Sequence, residues 1–163
     1  MKPVSRLLLA LACAGLAPGL GPAAPASAQT AVRPAQVPTE PLTIRSGNGA
    51  HRFDVEVMRD DAGRSRGLMF RRHMAPDHGM LFDFERDAPV TMWMKNTYLP
   101  LDMVFIRPDG TVSRVAADTE PLSTAIIPSG GPVLAVLELN AGTAARLGIQ
   151  AGDRVEHPMF RKR

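Results

Sequence analysis

The sequence predicts a mainly β domain of the α+β kind, a compact antiparallel or mixed β-barrel or sandwich of about seven strands with two short helices. Three observations lead to this fold class. Apolar and polar residues alternate over residues 53–57, nearly continuous apolar runs occupy residues 101–106 and 133–139, and Asp109-Gly110 is a hairpin turn signal. Alternation is typical of strands with one wet face, and short apolar runs are typical of strands buried on both faces.

The first elements of the domain are expected to be a strand and a short helix. The strand covers residues 53–57. Asp60 and Asp61 then offer an N-cap and a favourable charge in the first turn of a helix that ends near Gly67. Gly63 weakens this helix by about 1 kcal/mol relative to alanine.

Two further strands are expected in the middle of the domain. One covers residues 80–84, where apolar side chains alternate, and the next covers residues 90–95. The period of two places Met92 and Met94 on one face of the second strand and Trp93 on the other.

The second half of the domain alternates between buried strands and turns. Asp109-Gly110 connects the first apolar run to a returning strand. In chain order we expect a strand over 101–106, a strand over 111–115, a long loop over 118–132, a strand over 133–139, a one-turn helix capped by Thr143 and ending at Gly148, and a last strand over 154–157.

The first residues of the chain have the build of a secretory signal peptide. Lys2 and Arg6 precede the apolar stretch of residues 7–16, and Ala26-Ser27-Ala28 is a small-residue cleavage site. We therefore expect residues 1–28 to be removed and the mature protein to be periplasmic or secreted. A lipoprotein anchored at Cys13 is the rival interpretation, but the residues before Cys13 fit that motif poorly.

The expected mature chain is nearly neutral and has no thiol. Removing Lys2 and Arg6 from the 19 basic residues leaves 17 against 16 acidic ones, so nothing indicates a nucleic-acid partner. Cys13 is the single cysteine, which leaves neither a disulfide nor a thiol nucleophile. No later apolar run reaches the roughly twenty residues of a membrane span. Residues 29–41 are a Pro/Ala-rich linker, and residues 42–160 form one domain.

A series of motifs resembles a known family. The chain is similar to the bacterial and archaeal family catalogued as domain of unknown function 192, whose members have no settled activity and of which many are short and exported. The resemblance covers nearly all of residues 53–157 and rests on Arg66-Gly67-Leu68-Met69-Phe70-Arg71, Gly79-Met80-Leu81-Phe82, Trp93-Met94-Lys95-Asn96-Thr97, Leu99-Pro100-Leu101-Asp102-Met103-Val104-Phe105-Ile106, Asp109-Gly110, Leu137-Glu138-Leu139-Asn140-Ala141-Gly142, Leu147-Gly148-Ile149 and Gly152-Asp153. Gly63 and Met92 depart from the pattern usual in the family.

The first candidate site is a ligand platform. Trp93 and Lys95 share a face of the expected strand, where an aromatic plane and an ammonium group could hold a ring and an acid. Asn96 and Thr97 would add hydrogen-bond donors, and Arg71 and the loop over 118–132 would border the site. The structural alternative is that Trp93 closes one end of the core while Lys95 pairs with one of the two carboxylates in the apolar strands.

Those two carboxylates give the second hypothesis. Asp102 and Glu138 each stand alone inside an apolar run, where an unpaired charge is expensive. If they faced one cavity, they could act as acid and base in an envelope-directed hydrolase. If they do not, each must be satisfied by a cation or by backbone amides.

The third hypothesis is a Cu(I) site. Thioether and imidazole ligands suit Cu(I), and an exported protein without thiols would have to use them. The simpler interpretation is that methionine fills an irregular core. Since Met92 departs from the family pattern, a copper site common to the family is harder to support. The candidate ligands are His73, Met74, His78, Met80, Met92 and Met94.

Together these patterns favour an exported domain that binds something without transforming it. The chain has no phosphate-cradling glycine loop, no nucleophile elbow and no helical zinc motif. No cofactor is indicated. The expected partner is an envelope component, a small ligand or another protein.

Overall fold

The computed structural model describes residues 37–160 and confirms the mainly β fold class. The elements are β1 (Thr39–Ser46), β2 (Gly49–Met58), α1 (Asp61–Arg66), β3 (His78–Met92), β4 (Leu101–Ile106), β5 (Val112–Thr119), β6 (Ile127–Asn140), α2 (Thr143–Leu147), β7 (Arg154–Glu156) and a 3-10 turn (Pro158–Phe160).

The seven strands form one curled sheet in the order β5-β4-β6-β3-β2-β1-β7. Neighbouring strands are antiparallel except β2 and β3, which are parallel and are joined by the crossover that contains α1. The two edges of the sheet approach each other. Thr111 forms a bridge with Arg154, and the Val155 N–H donates to the Gly110 carbonyl at 2.8 Å. The sheet is therefore curled into a half-barrel.

The inner face of the curl carries the larger apolar core. Buried side chains from all seven strands meet there, which requires the two edges of the sheet to turn toward each other. Leu42 from β1, Leu137 from β6 and Val155 from β7 illustrate the span of this cluster. Burial of apolar surface contributes about 25 cal/mol per Å², so this cluster is the main source of stability.

A second core lies on the outer face of the sheet, where its buried strand residues come from β3, β4 and β6. Its members include Met80, Phe82, Met103 and Phe105, covered by Leu68 from the segment after α1. All six residues of β4 are buried, as its sequence, which is apolar except for Asp102, predicts for a strand with cores on both faces.

Helix α1 is confirmed with the caps that the sequence indicates. The Asp60 carboxylate accepts the Gly63 N–H at 2.6 Å, and Asp61 lies in the first turn. Gly67 ends the helix with φ 47°, and its N–H donates to the Gly63 carbonyl at 2.8 Å. A glycine is favoured at this end because the left-handed region costs it little.

The predicted limits of four strands are wrong. The pieces expected over 80–84 and 90–95 belong to the single strand β3, which ends at Met92. The loop expected over 118–132 is mostly strand, since β5 extends to Thr119 and β6 begins at Ile127. Proline misled this prediction. Pro128 and Pro132 lie in β6 where its pairing with β3 shifts register, and such irregular positions tolerate a missing N–H.

Helix α2 forms as expected, but Thr143 is not its cap. Gly142 occupies the N-cap position without a side-chain bond, and Thr143 is the first helical residue. The acceptor comes from another strand, because the Asp102 carboxylate of β4 accepts the Ala144 N–H at 2.8 Å. Gly148 ends the helix in the left-handed region, as predicted.

Some sequence expectations concern residues outside the described range. The signal peptide over 1–28, the lipoprotein alternative at Cys13 and most of the linker over 29–41 lie there. The end of the expected linker is ordered, since β1 begins at Thr39. Within residues 37–160, neither helix has the length and apolar character to cross a membrane.

Candidate functional site

A cleft of about 350 Å³ opens on the outer face of the sheet, between the α1 segment and the turn that follows β3. We call it the Glu138 cleft. Its apolar walls include Leu68, Phe82, Phe84 and Met92. Its other lining residues are Asp61, Arg64, Ser65, Arg66, Gly67, Met69, Thr91, Trp93, Lys95, Thr97, Ile126 and Glu138. Apolar walls with a few polar groups are typical of small-ligand sites of this size.

Glu138 is the most unusual residue of the cleft. It lies on β6 directly opposite Met80 of β3 and Met103 of β4, so its side chain shares the face of two thioethers. Only 4% of its surface is exposed. Burial alone raises the pKa of the Glu138 carboxyl to about 8, because no cation or hydrogen-bond donor among residues 37–160 opposes it. At neutral pH Glu138 is therefore a neutral acid that can donate a hydrogen bond.

The rim of the cleft is a tight turn, because β3 ends before Trp93. The Thr97 N–H donates to the Met94 carbonyl at 3.0 Å, and Asn96 has φ 57°. Asn tolerates this left-handed conformation better than most residues. The Asn96 carbonyl accepts the Phe70 N–H at 2.8 Å, which ties the turn to the segment after α1. Thr97 is buried, and its hydroxyl bonds the Lys95 carbonyl, so it shapes the turn.

Trp93 and Lys95 lie side by side, although in this turn and not in a strand as predicted. The Lys95 ammonium lies 5.1 Å from the centre of the Trp93 ring, within cation–π range. Trp93 is 45% exposed, so it does not close the core. Lys95 forms no ion pair within residues 37–160, and the alternative pairing with Asp102 or Glu138 is not observed.

The opposite side of the cleft carries cations that the sequence pattern did not indicate. Arg64 and Arg66 belong to α1 and line the cleft. Arg64 is held in place, since it donates to the Asp83 carbonyl at 2.7 Å and pairs with Asp61 at 2.6 Å. Arg66 is exposed. The signal that could have found them is the Arg-x-Arg spacing at the end of α1, next to the motif Gly67-Leu68.

Arg71 does not join the site. Its guanidinium makes a bidentate pair with Glu56 of β2, with contacts of 2.5 and 2.6 Å. This pair raises the pKa of Arg71 and fastens the segment after α1 to the sheet. Arg71 does not line the cleft, and Glu56 holds its guanidinium on β2.

Asp102 and Glu138 do not meet. Asp102 lies opposite Leu139, whose side chain is in the inner core, whereas Glu138 belongs to the outer face. The Asp102 carboxylate accepts the Asp118 N–H at 2.9 Å and the Ala144 N–H at 2.8 Å. It is thus a structural carboxylate satisfied by backbone amides, and this pair cannot serve as the acid and base of one site.

The four methionines among the candidate copper ligands all lie in or against the outer core. Met80 and Met94 are buried in the outer core, and the Met94 sulfur accepts the Thr119 hydroxyl at 3.2 Å. Met92 lines the Glu138 cleft and Met74 packs against the same core. His73 is exposed and His78 lies on β3, and the described residues contain no group of three His, Cys, Asp or Glu side chains suited to a metal.

Comparison with known proteins agrees with the motifs. The profile of DUF192, described as Uncharacterized ACR, matches residues 42–157. The chain belongs to the domain of unknown function 192 family. No protein with a curated description matches this DUF192 chain.

Two solved structures resemble this DUF192 domain. A protein from Sinorhizobium meliloti 1021, described as a candidate transcription regulator, is 55% identical with a TM-score of 0.71, and the match covers 72% of this chain and 92% of that one. A protein of unknown function from Novosphingobium aromaticivorans DSM 12444 is 42% identical with a TM-score of 0.71, and the match covers 73% of this chain and 85% of that one.

Proposed function

We propose that this DUF192 domain is a non-catalytic binding protein that takes a small amphiphilic acid into the Glu138 cleft. The apolar or ring part of the ligand would pack against Phe82, Phe84 and Met92. The acidic group would lie at the mouth, near Lys95 and Arg66. Aromatic walls with cations at the mouth match a ligand that is apolar at one end and anionic at the other.

Glu138 is the observation that carries this proposal. A buried carboxyl without a charged partner destabilises a fold, and an apolar residue between Met80 and Met103 would pack there without that cost. Costly polar groups at the wall of a cleft are typical of functional sites. A neutral acid supports binding in particular, because it offers a hydrogen-bond donor and does not repel an anion.

The cleft lacks the second group that a hydrolase of the predicted kind needs. Asp102 faces the other side of the sheet. Asp61 also lines the cleft, but it is exposed and paired with Arg64 at 2.6 Å, so it is not positioned beside Glu138 as a second buried carboxyl. The regulator description of the Sinorhizobium protein is not carried over either. Both helices of residues 37–160 have six residues or fewer, too short for a recognition helix in a DNA groove.

The test uses an aromatic anion, anilinonaphthalene sulfonate, as the probe. Trp93 is the only tryptophan of the chain and lines the cleft, so its fluorescence reports binding at this site. We expect saturable quenching of Trp93 with energy transfer to the dye. Lys95→Gln should weaken binding severalfold because the sulfonate loses its cation. Arg107→Gln is the matched control, because this substitution also removes one positive charge. Arg107 follows the end of β4 that is remote from the cleft.

The role of Glu138 has its own comparison. At neutral pH Glu138→Gln keeps a neutral group of the same size, so its affinity for the dye should be close to that of the wild type. Above about pH 8 the wild type should lose affinity as Glu138 ionises, whereas the Gln variant should not. Absence of Trp93 quenching, or equal losses in the Lys95 and Arg107 variants, would overturn the proposal.

We also propose that the domain acts outside the cytoplasm, in the periplasm or as a secreted protein. The basic start, the apolar stretch and the cleavage site before Gln29 support this location. Mass spectrometry of the protein recovered from an envelope extract tests it. A chain that begins at Gln29 is expected, and a chain found in the cytoplasm with residues 1–28 attached would contradict the proposal.

A further inference from the structure

Exposed apolar side chains are concentrated on one surface of the domain. Within residues 37–160, six large hydrophobic residues are exposed, and five of them lie on three segments beside the mouth of the Glu138 cleft. The sixth, Val37, lies ahead of β1. We call the surface formed by Phe70, Trp93, Tyr98, Leu122 and Ile126 the rim patch.

Hydrogen bonds join the three segments of the rim patch. The Phe70 N–H donates to the Asn96 carbonyl at 2.8 Å, and the Leu122 N–H donates to the Thr97 carbonyl at 3.0 Å. The rings of Phe70 and Tyr98 are also in edge contact, with centroids 6.4 Å apart. The patch is therefore continuous, and it meets the cleft at Trp93 and Ile126, which line both.

The backbone is strained where these side chains are presented. Phe70 has φ 65° and Leu122 has φ 64°, in the left-handed region that bulky residues rarely adopt. A conformation of this kind costs about 1–3 kcal/mol and is concentrated at functional sites. The side chains of both strained residues are exposed, Phe70 to 59% and Leu122 to 54%. Burial of these side chains within the domain therefore does not offset the cost of the strain.

Two of the three segments of the patch carry cations, and two of these cations lie on its rings. The Arg72 guanidinium lies 4.8 Å from the centre of the Tyr98 ring, and Lys95 has the same relation to Trp93. Exposed Arg66 adds a third positive charge. The segments 66–72, 93–98 and 120–126 contain four basic residues and one acidic residue, Glu120, and of the four only Arg71 forms an ion pair within the described residues.

We propose that the rim patch seats this domain on an anionic lipid bilayer, with the mouth of the Glu138 cleft facing the membrane. Membrane binding through the rim patch goes beyond the proposed function, and it does not require a ligand in the cleft. Tryptophan and tyrosine prefer the boundary between headgroups and acyl chains, and arginine and lysine beside them reach the lipid phosphates. Exposed apolar side chains with cations beside them have the composition of a surface that binds anionic lipid. An amphiphilic ligand could then enter the cleft directly from the bilayer.

Vesicle flotation tests the seat. The protein is expressed as the whole chain, and its mass is checked for the loss of residues 1–28. We expect it to float with vesicles of phosphatidylglycerol and phosphatidylcholine in a ratio of about one to two, and to bind pure phosphatidylcholine at least about tenfold more weakly. Leu122→Ser with Ile126→Ser should reduce binding to the anionic vesicles by about tenfold or more. Val37→Ser, the exposed apolar control outside the patch, should have no effect.

Charge is tested separately from apolar contact. Arg72→Gln should lower the partition coefficient about fivefold, and added salt should weaken binding of the wild type. Arg107→Gln, at the far end of β4, should retain wild-type binding. Glu138→Gln should also bind vesicles normally, because it alters the cleft and leaves the patch intact.

Three results would contradict membrane binding by the rim patch. Binding to neither kind of vesicle is the first, and equal losses in the patch variants and their controls are the second. The third is a dimer, seen by sedimentation, that dissociates when Leu122 and Ile126 are replaced, because the patch would then be covered by a second copy. Loss of dye binding to the cleft with vesicle binding unchanged would remove the proposed function and leave the seat standing.

Discussion

Asp102 and Glu138 lie on neighbouring strands within one residue of the same register, yet they face opposite sides of the sheet. Asp102 is opposite Leu139 and Glu138 is opposite Met103, so the pleat directs one carboxyl inward and the other outward. Within the described part of the chain, the Asp102 carboxylate accepts two backbone N–H groups and the Glu138 carboxyl accepts none. Two carboxyls that look alike in the sequence therefore have opposite effects on stability.

Replacing Asp102 should be destabilising. The Asp102 carboxylate accepts one N–H from Asp118 and one from Ala144, each with a different oxygen. In Asp102→Asn only one oxygen remains, so one of these hydrogen bonds is lost and the other is no longer strengthened by a negative charge. We expect the free energy of unfolding to fall by about 2–4 kcal/mol, measured by urea denaturation. Asp118→Asn is the matched control, an exposed carboxylate beside it, and should change stability by less than about 0.5 kcal/mol. An Asp102 variant as stable as this control would contradict the structural role.

Replacing Glu138 should change how stability depends on pH. The pKa of Glu138 is about 8 in the folded chain against 4.5 as the ordinary value, so the folded state keeps a proton that the unfolded state releases. The contribution of Glu138 to the free energy of unfolding is fully present below pH 4.5 and is lost as the pH rises to about 8. The loss over this range amounts to about 5 kcal/mol.

The comparison with Glu138→Gln isolates this effect. The variant has no proton to lose, so it should match the wild type near about pH 5 and exceed it by a few kcal/mol near about pH 8.5. Burial lowers the pKa of His157, whose stability effect runs in the opposite direction, but His157 is present in both proteins and cancels in the difference. Parallel urea titrations across this range measure the difference. A difference that does not grow with pH would show that Glu138 is not a buried, unpaired acid.

The bidentate pair between Arg71 and Glu56 predicts a stability effect without a binding effect. Arg71→Gln should lower the free energy of unfolding by about 1 kcal/mol, because a partly buried bidentate pair is lost. Its affinity for the dye should be unchanged, since Arg71 does not line the cleft. Arg72→Gln, the neighbouring exposed arginine, should leave stability unaltered. If Arg71→Gln lowered the affinity for the dye and Lys95→Gln did not, Arg71 would have to be part of the binding site.

Gly79 should be the most sensitive glycine of the sheet. A Cβ at Gly79 would lie 2.9 Å from both the Glu138 carbonyl and a methyl carbon of Leu139, so β3 and β6 would have to separate next to the inner core. We expect Gly79→Ala to cost about 1–3 kcal/mol in thermal or urea unfolding. Gly131→Ala is the control on β6, where a Cβ meets nothing within 4 Å, and it should be neutral or slightly stabilising. Equal effects of the two substitutions would contradict the close approach.

The fold class and most elements could be predicted because local patterns determine them. The alternation of residues 53–57, the caps at Asp60 and Gly67, and the run Leu101–Ile106, apolar except for Asp102, each have one local explanation. Strand limits depended on partners distant in the chain. Proline and glycine in residues 128–132 indicated a loop, but their register against β3 decided otherwise.

The site could be predicted in part for a similar reason. Trp93 and Lys95 were identified by their residue types, and they do line a cleft. The place of Arg66 opposite them depends on how the crossover between β2 and β3 packs. The different surroundings of Asp102 and Glu138 depend on the pairing of β4 with β6. Neither relationship is encoded within a short stretch of sequence.

The most direct measurement is a pH titration of the Glu138 carboxyl carbon by NMR, with and without anilinonaphthalene sulfonate. The resonance is assigned by its absence in Glu138→Gln. We expect a midpoint near pH 8 in the free protein and a higher midpoint with the dye bound, because an anion in the cleft opposes ionisation of Glu138. A midpoint near 4.5, or one that the dye does not move, would contradict a cleft in which a neutral acid receives an anionic ligand.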